Sequence, residues 1–400
     1  MWQNLRSTYI FFITLGFFSN LFKSLMAPFW VIYFHSIGLN FEQISLLLVI
    51  NHLVTVIFEI PTGAIADLFS RKFSVVISLL IAAVSAIGVY FSNSFLILLI
   101  LYGVSGLGAT FSSGAFESWF ADSLLDFKKD IELTKYWGHF MGFVYLGAAL
   151  GMVGGGIFVH YKILRPLWLV EGLGILSLCL YVFFLGRESK FMKNTDEKVT
   201  YKLYLNKITT GVPYLLKNKL LKLTCVGSLL FFFSSGIISL LWQPYFKSVN
   251  ISLEYFGVIS AITLGAGILF PHFAEKIKNT CGGDIITLSF ISAVCSLFLF
   301  FMFIFSKFSF IPYIIYTSFY TLHTPIFMAY FNLHIPSSER ATIISTYNLL
   351  ISLITILCTY TFGALANYIN LNAPLLLASG ISMISAVIFD LTKNHEKFRK

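Results

Sequence analysis

Four ionisable side chains stand inside long apolar runs of this 400-residue chain: Lys23, Glu59, Glu117 and Glu171. A charge in hydrocarbon is costly unless it is paired or hydrated, so such groups mark places where protons or ions are handled. Lys23 lies about fifteen residues into its run, or ~22 Å, and Glu59 about eight residues, or ~12 Å, before Asp67. The two therefore stand at similar depths. A carboxylate that pairs with a lysine in one conformation and is freed and protonated in another couples proton movement to a conformational cycle; a permanent structural ion pair is the other reading. Glu117, in GAFESWFAD, lies nearer one end and fits either this coupling set or a gate with Arg71. Glu171 lies nearer the opposite end and is left outside the set. His52, His139, His272 and His323 add titratable neutral groups, while every acid of the second half falls near the end of a run.

The elements that carry these groups follow from composition. The chain is 57% hydrophobic and 11% charged, with a mean hydropathy of +0.83. Those values exclude an ordinary soluble domain. Apolar runs fall at roughly 8 to 34, 43 to 66, 73 to 92, 94 to 118, 136 to 160, 166 to 186, 221 to 246, 253 to 274, 284 to 306, 309 to 331, 342 to 365 and 371 to 391. Each is long enough to cross ~30 Å of hydrocarbon as a helix. Pro28, Pro244 and Pro325 interrupt three of them. The even number of spans puts both termini on one side, and 22 of the 27 Lys and Arg fall on that face. Cations accumulate in cytoplasmic loops, so both termini are expected there. The formal charge of +9 is then topology, with no nucleic-acid partner.

The polar stretch 187–220 separates spans 1–186 from spans 221–400, six on each side. Its mixture of Lys with Tyr, Leu and Ile suits a segment lying on the anionic inner leaflet. GLNFEQIS before span two resembles NISLEYFG before span eight, a trace of an internal repeat. The expected fold is an all-α membrane protein of twelve transmembrane helices in two pseudo-symmetric six-helix bundles. The N-terminus reads as a retained anchor rather than a cleaved signal. The five cysteines show neither metal spacing nor a disulfide framework. No phosphate-cradling loop or paired histidines appear, so an enzyme, an ATP-driven pump, a cofactor and a metal site are not expected.

Within EIPTGAIADLFSRK, Gly63, Asp67, Arg71 and Lys72 crowd the turn between spans two and three. Gly63 permits close helix approach, and Asp67 suits the positive N-terminal end of the next helix. These residues resemble the loop signature of the major facilitator superfamily, with Leu68 and Ser70 departing from its usual cation and glycine. PHFAEKIK forms a weaker copy at the equivalent turn of the second half, and NLHIPSSERATIIS resembles a further cytoplasmic turn of bacterial members. The resemblance implies that Asp67 and Arg71 form a latch on the outward-facing state; fixing topology is the simpler role. GAALGMVGGG, with Gly147, Gly151, Gly154, Gly155 and Gly156, suits close helix packing. It is similar to the glycine signature of the family's proton-coupled exporters, with Met152 where a proline is usual.

The resemblance also implies that spans one, four, seven and ten line a central cavity. Tyr316, Tyr320, His323 and Phe327 share one face of span ten, and Trp242 and Gln243 lie in span seven. They are the substrate-cavity candidates, suited to a flat or lipophilic compound. Lipid-facing aromatics are the alternative. The expected activity is proton-coupled export of small lipophilic compounds by a monomer in a bacterial plasma membrane, with sodium as the other possible ion. Import of a nutrient or metabolite is the alternative within transport; a non-transporting sensor or assembly partner is the alternative from another class.

Overall fold

A computed structural model describes residues 4–68, 70–127, 131–189, 213–336, 339–368 and 370–397. Most of the basic linker 187–220 therefore lies outside the described residues. The first apolar run forms two helices, α1 (Leu5–Ser24) and α2 (Trp30–Ser36). Pro28 explains the break: its ring collides with the carbonyl four residues earlier, that of Ser24, where α1 ends. Helix α3 (Phe41–Leu68) continues through Pro61, and α4 (Arg71–Phe91) follows.

The fourth run also divides, into α5 (Phe95–Ser112) and α6 (Ala115–Leu125). Gly114 between them has φ 72°, in the left-handed region that glycine enters without steric cost. Helices α7 (Leu133–His160) and α8 (Pro166–Leu185) complete the first six spans. In the second half, α9 (Lys219–Ser248) is capped by the Asn218 side chain. Helix α10 (Glu254–Leu269) passes through a 3₁₀ turn (Phe270–Phe273) into α11 (Ala274–Cys281). The chain then forms α12 (Asp284–Phe305), α13 (Phe310–Leu333), α14 (Arg340–Leu365) and α15 (Asn372–Lys397). Unlike Pro28, Pro244 and Pro325 remain within helices, α9 and α13.

Eleven helical segments among the described residues are long and apolar enough to cross a membrane. The twelfth expected span is α13, a 24-residue helix whose Tyr, Thr, His and Pro residues make it more polar. The architecture is thus all-helical, with the twelve-span plan that the composition predicts.

The fold divides into two units, Met1–Thr200 with Leu253–Ala261, and Tyr201–Ser252 with Ile262–Lys400. In the first, α1 packs on α7 and α8, α3 on α5, and α4 on α5 and α8. In the second, α9 packs on α14 and α15, and α12 on α13 and α15. In each unit the first span thus meets the fifth and sixth, and the third meets the fourth and sixth. This repeated pairing gives physical form to the faint sequence repeat.

Water supplies no hydrophobic drive between helices in lipid, so shape and hydrogen bonds hold these contacts. In the first unit Phe11, Phe12, Trp119, Phe120 and Phe140 interlock as a buried aromatic core. In the second, hydroxyls stitch α12 to α15: Ser296 meets Ser379 at 3.2 Å and Ser292 meets Ser385 at 3.3 Å. Ser385 also donates to the Gly227 carbonyl on α9 at 2.7 Å.

Candidate functional site

Lys23 sits one residue before the end of α1, where its side chain lines two cavities inside the first unit. The larger, of about 430 Å³, is walled by α1 to α5 and α8 and includes Asn51, Tyr102, Trp168 and Glu171. The smaller, of about 210 Å³, includes Asn20, Trp137 and Glu117. Ser78 of α4 lines both. Lys23 and Glu171 interact electrostatically across the larger cavity, but among the described residues they form no direct ion pair. Asn51 is held by its own bond to the Tyr102 carbonyl at 3.0 Å.

This arrangement does not place Glu59 beside Lys23, the pairing expected from depth along the chain. Glu59 lies exposed on α3 and lines neither cavity; Glu117 is likewise exposed but lines the smaller one, whereas Glu171, set aside on depth alone, is half-buried and lines the larger with Lys23. Depth alone gives no information about helix rotation, and rotation decides which carboxylate meets the lysine.

The loop between α3 and α4 is built around carboxylates that sequence reasoning missed. Arg71 forms an ion pair with Asp122 of α6, not with Glu117. Glu188 receives the Ser70 hydroxyl and the backbone N–H groups of Arg71 and Lys72, at 3.2 and 3.1 Å for the latter two. A carboxylate on these N–H groups satisfies donors that an isolated helix start leaves open and complements the helix dipole. Glu188 thus sits at the start of α4; the Asp67 side chain, also expected there, lies outside the described residues. Lys72 donates to the Phe183 carbonyl at 2.9 Å. Gly63 has open space where a Cβ would stand, so close helix approach is not what this glycine provides.

The glycine run separates into three environments. Gly147, Gly151 and Gly155 lie against the carbonyls of Phe17 and Leu21 on α1 and of Leu25 just after it. Gly156 faces the start of α10, where its added Cβ would come 2.6 Å from the Glu254 carbonyl. Gly154 meets only the Leu25 side chain, at 3.6 Å. Beyond the run, His160 pairs with Glu254 within the first unit.

In the second unit Trp242, Gln243, Tyr316, His323 and Phe327 are buried, and Tyr320 is half-buried. The His323 ring stacks on Phe231 with centroids 4.2 Å apart and on Phe327 at 5.7 Å. Among the described residues, neither of its ring nitrogens has a hydrogen-bond partner. An unsatisfied buried polar group is destabilising, and an aromatic of similar shape relieves it. His323→Phe is therefore expected to melt at or above the wild-type temperature in detergent. A lower melting point would show that the imidazole has a partner essential to the fold.

The sequence profile of the Major Facilitator Superfamily matches residues 12–359. The chain belongs to this superfamily. As a Major Facilitator Superfamily protein it is a secondary transporter and an integral membrane protein. It is similar to YxaM of Bacillus subtilis (strain 168), described as an uncharacterized MFS-type transporter, with 22% identity over 376 residues that cover 92% of this chain and 91% of the relative. It also resembles MJ1560 of Methanocaldococcus jannaschii, similarly described, with 24% identity over 284 residues and 70% of each chain covered. Among solved structures, the nucleoside transporter NupG superposes with a TM-score of 0.79 at 13% identity, covering 96% of this chain and 98% of that one. The POT family transporter PepTSo gives 0.72 at 10%, covering 98% and 99%. These likenesses establish the fold of this Major Facilitator Superfamily member.

Proposed function

We propose that the protein is a proton-coupled exporter of small lipophilic compounds. In this reading two six-helix bundles, 1–186 and 221–400, alternate access around a substrate site, joined by the basic linker. The cation distribution favours a bacterial plasma membrane with both termini in the cytoplasm. The observation that carries proton coupling is the interaction of Lys23 with Glu171 across a cavity of the first unit; Glu117, exposed on α6, lines the neighbouring cavity. Ionisable groups are retained at such depth where they serve transport. Outward direction draws on the glycine run of α7, and the aromatic stripe of α13 is the proposed substrate surface.

A second reading, proton-coupled uptake of a nutrient or metabolite, is favoured by structural neighbours named for nucleosides and peptides. Proteoliposomes reporting internal pH test both readings. Lipophilic cations, antibiotics, nucleosides and small peptides are added to wild type, Lys23→Ala and Glu59→Gln. Export predicts proton movement triggered by the lipophilic compounds and lost in Lys23→Ala. Movement with nucleosides or peptides alone selects uptake, and sodium dependence without proton movement removes both readings. Loss in Glu59→Gln with Lys23→Ala unchanged would move the coupling site to the exposed carboxylate of α3.

A further inference from the structure

The larger cavity holds two opposite charges that do not close on each other. Exposed Lys23 at the end of α1 and half-buried Glu171 of α8 both line it, and they interact electrostatically without forming an ion pair. Charges inside an apolar bundle are costly unless each has a partner. The walls are otherwise those of a ligand site. At about 430 Å³ the volume falls within the ~300–1,000 Å³ of small-molecule pockets. Trp30, which opens α2, Tyr102 of α5 and Trp168 of α8 give it flat apolar faces. Tyr102 and Trp168 are held in place by the Phe34 ring, with centroids 5.5 and 5.8 Å away. Asn51 gives its amide N–H to the Tyr102 carbonyl, which leaves its side-chain oxygen to accept. The Ser85 hydroxyl and the Trp168 indole N–H, on the same walls, are buried and have no acceptor among the described residues. Buried donors of this kind call for an acceptor that the chain itself does not supply.

We infer that this cavity is a binding site for an aromatic α-amino acid, held as a zwitterion between Lys23 and Glu171. An α-amino acid carries an ammonium and a carboxylate on one carbon, so one molecule supplies both missing partners. Its carboxylate meets the Lys23 ammonium and its ammonium meets the Glu171 carboxylate, with the Asn51 oxygen as a further acceptor. Its ring lies among Trp30, Tyr102 and Trp168, where aromatic faces favour offset or edge-on contact. A compound with only an amine leaves Lys23 stranded, and one with only an acid leaves Glu171 stranded. Leaving a polar group unpaired on binding is heavily penalised, so charge selects the ligand more sharply than shape does. The site belongs to the first unit, and none of the α13 stripe residues proposed for lipophilic compounds lines it. It requires neither proton coupling nor export.

Equilibrium binding to the full-length protein in detergent tests the site with three compounds that share an indole ring: tryptophan, tryptamine and indolepropionate. Tryptophan is expected to bind at least about tenfold more tightly than either singly charged analogue. Lys23→Gln removes the preference for tryptophan over tryptamine, and Glu171→Gln removes the preference over indolepropionate. Ser105→Phe fills the cavity from α5 with every charge kept, and abolishes tryptophan binding. That variant decides the matter where a charge variant does not melt as wild type does. No tryptophan binding by wild type with a normal melt overturns the inference and leaves a hydrated cavity only. Equal affinity for the three compounds, preferences unchanged in both charge variants, or tryptophan bound as before in Ser105→Phe also overturn it. Binding in detergent involves no proton gradient, so this result stands apart from the proteoliposome result.

Discussion

Gly151→Leu is expected to yield no monodisperse protein in detergent, whereas Gly154→Ala should purify and melt as wild type does. Both sit in the same ten-residue glycine-rich stretch of α7, and their neighbours set them apart. At Gly151 a Cβ would fall within contact distance of the Leu21 backbone carbonyl, with the Ser24 Cβ 3.1 Å away. Backbone cannot rotate aside as a side chain can, so α1 must move. Gly147 and Gly155 press on α1 in the same way, one turn before and one turn after. An alanine at any of the three gains about 1 kcal/mol of helix propensity. It also incurs about 1–3 kcal/mol of overpacking at a helix seam. Net destabilisation is expected at each, growing steeply with side-chain size. At Gly154 the nearest atom is the flexible Leu25 Cδ2 at 3.6 Å, an ordinary contact, and the propensity gain remains. Fluorescence-detected size exclusion and thermal melting read both outcomes. Equal behaviour of the two variants would mean that α1 and α7 do not meet along this face.

The same stretch shows what a sequence conveys and what it withholds. Apolar length and composition define helices in a membrane, because hydrocarbon demands that backbone hydrogen bonds close within each span. Spacing identifies a face only when the partner is known: Gly147, Gly151 and Gly155 recur every fourth residue, yet Gly154 and Gly156, counted with them, point elsewhere. Breaks were partly legible. Pro28 ends α1 where it must, but Pro244 and Pro325 leave their helices continuous, and the left-handed Gly114 divides a span that reads as unbroken.

Charge pairing was the least legible, because every important pair joins distant residues. Glu117 and Asp122 are five positions apart on α6, which places them about 140° apart around its axis. Glu117 consequently lines the Lys23 cavity while Asp122 meets Arg71. A sequence that names both acids cannot say which faces which cation without the rotation of α6. Glu188, counted with the linker, caps α4 from more than a hundred residues away.

The Arg71 and Asp122 pair supplies the second large effect. The side chains are 13% and 16% exposed, so removing either partner leaves the other charge largely out of water. Such a cut typically costs about 3–5 kcal/mol, much of it from the charge left behind rather than from the lost attraction. Arg71→Met and Asp122→Leu are each expected to lower the melting temperature sharply. The double variant, in which neither of these two charges is left without the other, should recover at least about half of the loss, since apolar replacements of whole buried pairs are often neutral. Additive losses in the double variant would show that the two residues act on separate partners. The cycle also separates scaffold from latch. A pair that only braces α4 against α6 returns transport along with stability when both charges are gone. A pair that must open and close in the transport cycle returns stability alone, because apolar side chains hold the helices together without a charge interaction that can be made in one state and broken in the next.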